Sequence, residues 1–145
     1  MAAEIQVRVS LTINKGNISY GPTRPNAFAA DFLGTSGPTP GMVVIATNIT
    51  VITLANLATL GGWARMENYD QTNFVMIGIY DQDAAVFYPF LELLPGESTV
   101  VRLSRFINRE LIPGTGTGSA DRVVTVLAAK ADVAPCNLLV EAFDK

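Results

Sequence analysis

The sequence contains no histidine. That removes the commonest general base, the usual activator of a serine or cysteine nucleophile and the commonest metal ligand, so the chain is expected to be non-enzymatic and to bind no metal or cofactor. A single cysteine, Cys136, excludes an internal disulfide and is in keeping with synthesis in a reducing compartment. It follows Pro135 and has no basic neighbour to lower its pKa, so it reads as a structural thiol. Charge is also scarce. Lys plus Arg number 10 and Asp plus Glu 13, which is 16% of the chain, against about 25% in a typical soluble domain. A formal net charge of −3 leaves little room for a strongly basic face, so nucleic acid is not an expected partner. No apolar run approaches the roughly 20 residues that cross a bilayer. The opening Met-Ala-Ala-Glu-Ile lacks the basic and apolar regions of a signal peptide.

What is present is apolar surface. Hydrophobic residues make up 49% of the 145 residues, and the mean hydropathy is +0.31. A chain of this length suits one domain and can bury roughly two-thirds of its unfolded surface, so it needs no metal or disulfide to hold a core. With so little charge to coat itself, it either carries a neutral Thr/Asn/Gly/Ala surface or buries part of its surface against other chains.

Strand signals dominate. From Glu4 to Ile13 apolar and polar residues alternate without a break, the period of a half-buried strand. Asn14-Lys15-Gly16-Asn17 reads as a turn, and Ile18-Ser19-Tyr20 as a return strand. Gly21 to Gly41 holds four prolines and four glycines around Phe28, Ala30 and Phe32. It reads as an extended arm lying on a neighbouring subunit, or as a long loop with one edge strand. Met42–Ala46 and Ile49–Leu54 are β-branched runs. From Gly62 to Ser104 four strands are expected in a meander: Trp63–Tyr69, Phe74–Tyr80, Val86–Leu93 and Thr99–Leu103, separated by Asn-, Asp-, Pro- and Gly-rich turns. In Leu94-Pro95-Gly96-Glu97 the central Pro-Gly pair predicts a type II turn. Ser104 to Leu111 allows one or two helical turns. Gly114 to Ser119 reads as a flexible loop, and Val123–Ala128 and Leu138–Phe143 as closing strands. The fold class is all-β: a single antiparallel β-sandwich over residues 1–145, for which a jelly roll is one available arrangement.

The other chemical motifs are weak. Gly114-Thr115-Gly116-Thr117-Gly118 lacks the Lys-Ser/Thr of a phosphate loop. Asp81-Gln82-Asp83 lacks the further ligands of a calcium loop and reads as a polar hairpin turn. The aromatics of the meander, Trp63, Tyr69, Phe74, Tyr80, Phe87, Tyr88 and Phe90, are expected mostly in the core, with an exposed subset free to stack on sugars.

One stretch carries a resemblance. Gly-Trp-Ala-Arg-Met-Glu-Asn-Tyr-Asp-Gln-Thr-Asn-Phe-Val from Gly62, followed by the Leu-Leu-Pro-Gly-Glu turn ending at Glu97, resembles a family of small tailed-bacteriophage structural proteins. Its members share an aromatic–Asn–x–Asp–x–Thr–Asn–aromatic–Val turn and a later Leu-x-Pro-Gly-Glu turn. The likeness covers the central third of the chain. It implies a β-sandwich virion protein that decorates and stabilises the capsid, made in the host cytoplasm and placed on the capsid surface. The expected partners are the major capsid protein and further copies of the chain, most simply as a homotrimer. Tyr20, Arg24, Phe28, Phe32 and Arg105 are the candidate contact residues. A head–tail joining or tail protein and a carbohydrate-binding module for host attachment are the alternative roles.

Overall fold

The structure, a computed structural model, describes residues 5–9, 13–15, 18–20, 26–30, 38–54, 62–104, 111–112, 122–123 and 125–143. The chain divides into two compact units, Met1–Leu33 and Gly34–Lys145.

In the first unit the pairing is nested. β1 (Ile5–Val9) pairs antiparallel with β4 (Asn26–Ala30), from Ile5↔Ala30 to Val9↔Asn26. β2 (Ile13–Lys15) pairs with β3 (Ile18–Tyr20). The run expected as one strand from Glu4 to Ile13 is therefore divided between two ladders with different partners. Asn14 and Lys15 belong to a strand rather than to the turn.

The second unit is a β-sandwich. Its strands are β5 (Thr39–Ile45), β6 (Thr50–Val51), β7 (Trp63–Asn68), β8 (Val75–Asp81), β9 (Val86–Leu93), β10 (Ser98–Arg102), β13 (Thr125–Ala131) and β14 (Cys136–Phe143). A small pair, β11 (Leu111–Ile112) with β12 (Arg122–Val123), falls between β10 and β13 in the chain. Among the described residues there is no helix. Leu111, expected to end a helical turn, lies in β11; residues 105–110, 113–121 and 55–61 lie outside the described residues, and with them the Gly114–Ser119 loop.

One four-stranded sheet has the order β10-β7-β14-β5 and the other β6-β13-β8-β9. Ranked by position along the unit, the eight strands alternate between layers as 1-8-3-6 and 2-7-4-5. This is the double Greek key of a jelly roll. The order corrects the expected meander: of its four strands, β8 and β9 alone pair as consecutive neighbours. β7 and β10 lie side by side in the other sheet, with Ser98↔Glu67 through Arg102↔Trp63 in register. The Leu94–Glu97 turn shows why. Gly96 has φ 75° and the Glu97 N–H donates to Leu94 O at 3.0 Å, as a type II turn requires. Turns of types I and II do not match the twist of a tight hairpin, and here the turn carries the chain from one sheet to the other.

The two sheets meet on an aliphatic core. Ile45, Met66, Val75, Ile77, Leu127, Leu138 and Val140 are fully buried, and Ala64, Ala129, Ala131 and Ala142 fill the close approaches between layers. Every second residue of β14 points into this core, and Val126 to Ala129 of β13 are buried on both faces. No aromatic residue belongs to the buried core among the described residues. Trp63, Phe74, Tyr80 and Phe87 are half-buried, while Tyr69, Tyr88 and Phe90 are exposed. The expectation that the aromatics fill the interior is thus overturned. Aliphatic side chains and alanines hold the buried positions, and the rings stand at half-buried and exposed ones.

Candidate interaction surface

Of the five residues expected to contact partners, two fall in described strands. Tyr20 ends β3 opposite Ile13, and Phe28 sits mid-β4 opposite Val7. Arg24, Phe32 and Arg105 lie outside the described residues. The segment from Gly21 to Gly41, expected as an arm or loop, contributes Asn26–Ala30 to the ladder with β1 and Thr39–Gly41 to the start of β5.

Among the described residues one group of exposed apolar side chains, Val86, Tyr88 and Phe90, lies on β9. Its ladder with β8 shifts between Ile77 and Gly78: Ile77 pairs with Leu91 and Gly78 with Pro89, which leaves Phe90 as the extra residue of a β-bulge. The bulge brings β9 backbone down onto β8. A Cβ on Gly78 would stand 2.3 Å from Tyr88 O and 2.7 Å from Pro89 Cα, so any side chain there forces the β9 backbone to move. Past this point β9 presents Tyr88, 57% exposed, and Phe90, 56% exposed, beside Pro89 and Val86. A proline within a strand confines it to a sheet edge or a bulge, so Pro89 was the sequence signal for this apolar edge.

A polar knot fixes the end of the sandwich where β7 and β9 finish. Asn68 is fully buried at the end of β7. Its Nδ2 donates to Asn73 O at 2.9 Å and to Leu93 O at 3.1 Å, and its Oδ1 accepts from Asp70 N at 3.0 Å. Its backbone N–H donates to Glu97 O at 2.9 Å, and its carbonyl accepts from Gly96 N at 3.0 Å. The Asn68 side chain thereby ties the end of β7 to the 70–73 turn and the end of β9, and its backbone groups tie in the Pro-Gly turn. Asp70 Oδ1 closes the first turn by accepting from Asn73 N at 2.7 Å and Thr72 N at 2.8 Å. These bonds, that to Asn73 first, hold the Asp70 carboxyl below its ordinary pKa. Glu97 Oε2 closes the second turn by accepting from Leu94 N at 2.8 Å. The Asp81 turn is built alike, with Oδ1 accepting from Asp83 N at 2.9 Å and Ala84 N at 3.0 Å.

Two arginines have structural partners. Arg65 bridges Glu67 and Glu141 on the outer face of the first sheet. The Arg102 guanidinium lies 5.7 Å from the ring centre of Trp63, its cross-strand partner. Cys136 is buried at the start of β14, and burial pushes its thiol pKa up. Among the described residues, no three His, Cys, Asp or Glu side chains form a group able to hold a metal ion. Comparison with family models, curated proteins and solved structures finds no match to this chain.

Proposed function

We propose that this protein is a non-enzymatic structural component of a tailed-phage virion that decorates the capsid and stabilises it by bridging capsid subunits. The observation that carries the reading is the convergence on Asn68. The two motifs behind the phage resemblance are separated in sequence, yet Asn68 bonds directly to Asn73, Leu93, Gly96 and Glu97. The shared residues form one three-dimensional device that locks a jelly roll, a fold widely used in viral capsids, rather than two unrelated turns. The low charge and the Tyr88–Phe90 edge add to this support.

In this reading attachment rests on apolar burial. Each Å² of apolar surface removed from water contributes about 25 cal/mol before the costs of association. The major capsid protein is the partner. Self-association accompanies attachment, a trimer being the state that matches the local three-fold sites of a capsid lattice. Adding the purified protein to undecorated capsids and imaging them in negative stain tests the reading: regular knobs on the head are expected. Density confined to the neck or tail would move the role to head–tail joining. Absence from virions together with glycan-array binding would replace it with host attachment through the exposed rings.

A further inference from the structure

Among the described residues β5 has a sheet neighbour on one side alone, which leaves its other edge open. Its sheet partner is β14, and the outer row of β5 is Pro40, Met42 and Val44, with Met42 52% and Val44 64% exposed. The direction of its backbone groups follows from the neighbouring ladder. Tyr69 N donates to Asn137 O at 2.9 Å, so the polar groups of Asn137 face β7. In an antiparallel strand successive residues alternate sides. Leu138 therefore faces β5 and its partner Val43 faces back, which turns the N–H and C=O groups of Met42 and Val44 to the open side.

Open edges are normally guarded. β10 carries Arg102 on its edge, β9 carries Pro89, Glu92 and the Phe90 bulge, and β6 is only two residues long. β5 has Pro40 at its beginning and no guard from Met42 onward. Nor does charge protect it from nearby in the chain, because no Asp, Glu, Lys or Arg occurs between Asp31 and Arg65. Across the ladder the charge beside this edge is Glu141, opposite Pro40 and already paired with Arg65, so a charged partner at Met42 and Val44 would lose hydration without compensation, whereas a copy of the same edge would not.

We propose that β5 pairs with β5 of a second copy, antiparallel about a two-fold axis through Val43. Met42 then faces Val44 of the other copy, twice over. Each such pair exchanges two backbone hydrogen bonds, and the exposed side chains stack Met on Val across the junction, next to Leu139. The two four-stranded sheets become one continuous sheet. The edge is its own complement, which is what a two-fold contact demands. The contact joins copies in pairs and does not depend on the capsid reading; where the chain also trimerises, as that reading expects, it joins two trimers into a hexamer, so the association state is even in either case.

Sedimentation equilibrium at about 50 μM, suited to a small interface, tests this on the full chain. The wild type is expected to have an even association state. Val44→Lys places a charge opposite Met42 and is expected to halve the mass and weaken association at least about tenfold, with circular dichroism and melting temperature unchanged. Leu94→Lys, on the Pro-Gly turn, keeps the wild-type mass. Val43→Cys reports register: its Cα would lie about 4.5 Å from its symmetry mate, within disulfide range. Mild oxidation is expected to cross-link this variant and not Leu94→Cys. A monomeric or trimeric wild type, a mass unaffected by Val44→Lys, or equal cross-linking of the two cysteine variants would overturn the proposal.

Discussion

The contact between Gly78 and the bulge of β9 makes a quantitative prediction. A methyl group added at Gly78 would meet Tyr88 O at 2.3 Å, Pro89 Cα at 2.7 Å and Tyr88 C at 2.8 Å. All three are backbone atoms, so no rotamer change relieves the clash. Carbon and oxygen come to rest at about 3.3 Å or more, so β9 must retreat by about 1 Å where Phe90 already interrupts the ladder. Overpacking of this kind costs about 1–3 kcal/mol. Gly78 is not among the residues with positive φ, so its backbone suits alanine, and the stiffer unfolded chain returns about 0.4–1 kcal/mol. The balance is a destabilisation of about 1–2 kcal/mol, and with each kcal/mol shifting Tm by about 4 °C for a unit of this size, Gly78→Ala is expected to melt about 4–8 °C lower. Thermal melts followed by far-ultraviolet circular dichroism and by the fluorescence of Trp63, the single tryptophan, measure this directly. A Tm equal to or above wild type would show that β9 is held loosely at the bulge and would refute the close packing.

Three further outcomes follow from the same geometry. Asn68→Ala leaves the Leu93 and Asn73 carbonyls and the Asp70 N–H without their partner; at about 1–3 kcal/mol per buried unsatisfied group, urea denaturation should show a loss of about 3 kcal/mol or more, and Asn68→Asp should not restore it, because the donor is gone. Asp70 is more acidic folded than unfolded, so its stabilisation is full above the unfolded pKa of about 3.9 and is lost as pH falls through the lower folded value; Asp70→Asn, which keeps the accepting oxygen, should make acid unfolding shallower below about pH 4, and identical acid curves would count against the turn as its source. Cys136 is buried with a raised pKa, so a thiol reagent at mildly alkaline pH should react no faster than the protein opens, its rate rising in step with unfolding as urea is added.

How far this architecture was legible depended on the kind of signal. The strands of the central region stand within a residue or so of where the alternation places them: Trp63–Asn68, Val75–Asp81, Val86–Leu93 and Ser98–Arg102. Period two is a local property, imposed by a pleat with one buried face. The Pro95-Gly96 turn was equally legible, because backbone dihedral preferences belong to the residues themselves. Pairing was not. Which strand lies beside β7 depends on contacts made by residues some 70 positions away in β14, and no local period encodes that. The core also resisted reading. Apolarity alone does not distinguish Ile77 from Phe90; the distinction comes from pairing, since Ile77 lies on a central strand between β13 and β9 while Phe90 is the extra residue of the bulge on an edge strand. Asn68 was read as part of a motif, but its burial and its role as a hub required the two turns to be brought together in space. The exposed row of β5 was invisible for a similar reason, since Met42 and Val44 read simply as members of an apolar strand.

The jelly-roll order has a practical corollary. β5 and β14 are the first and last strands of the sandwich, and they are neighbours, with Thr39 opposite Ala142. Entry and exit therefore stand about 5 Å apart, the spacing of adjacent strands. The turns at 70–73 and 94–97 lie at the far pole, where β7, β9 and β10 reverse. Such a unit behaves as a cassette. A short linker from Phe143 to Thr39 would close it into a circle that can be reopened at another connection. Equally, it can be spliced into a loop of a host protein without forcing the host strands apart. Cargo fused at the entry–exit pole would leave the Asn68 lock undisturbed at the other end.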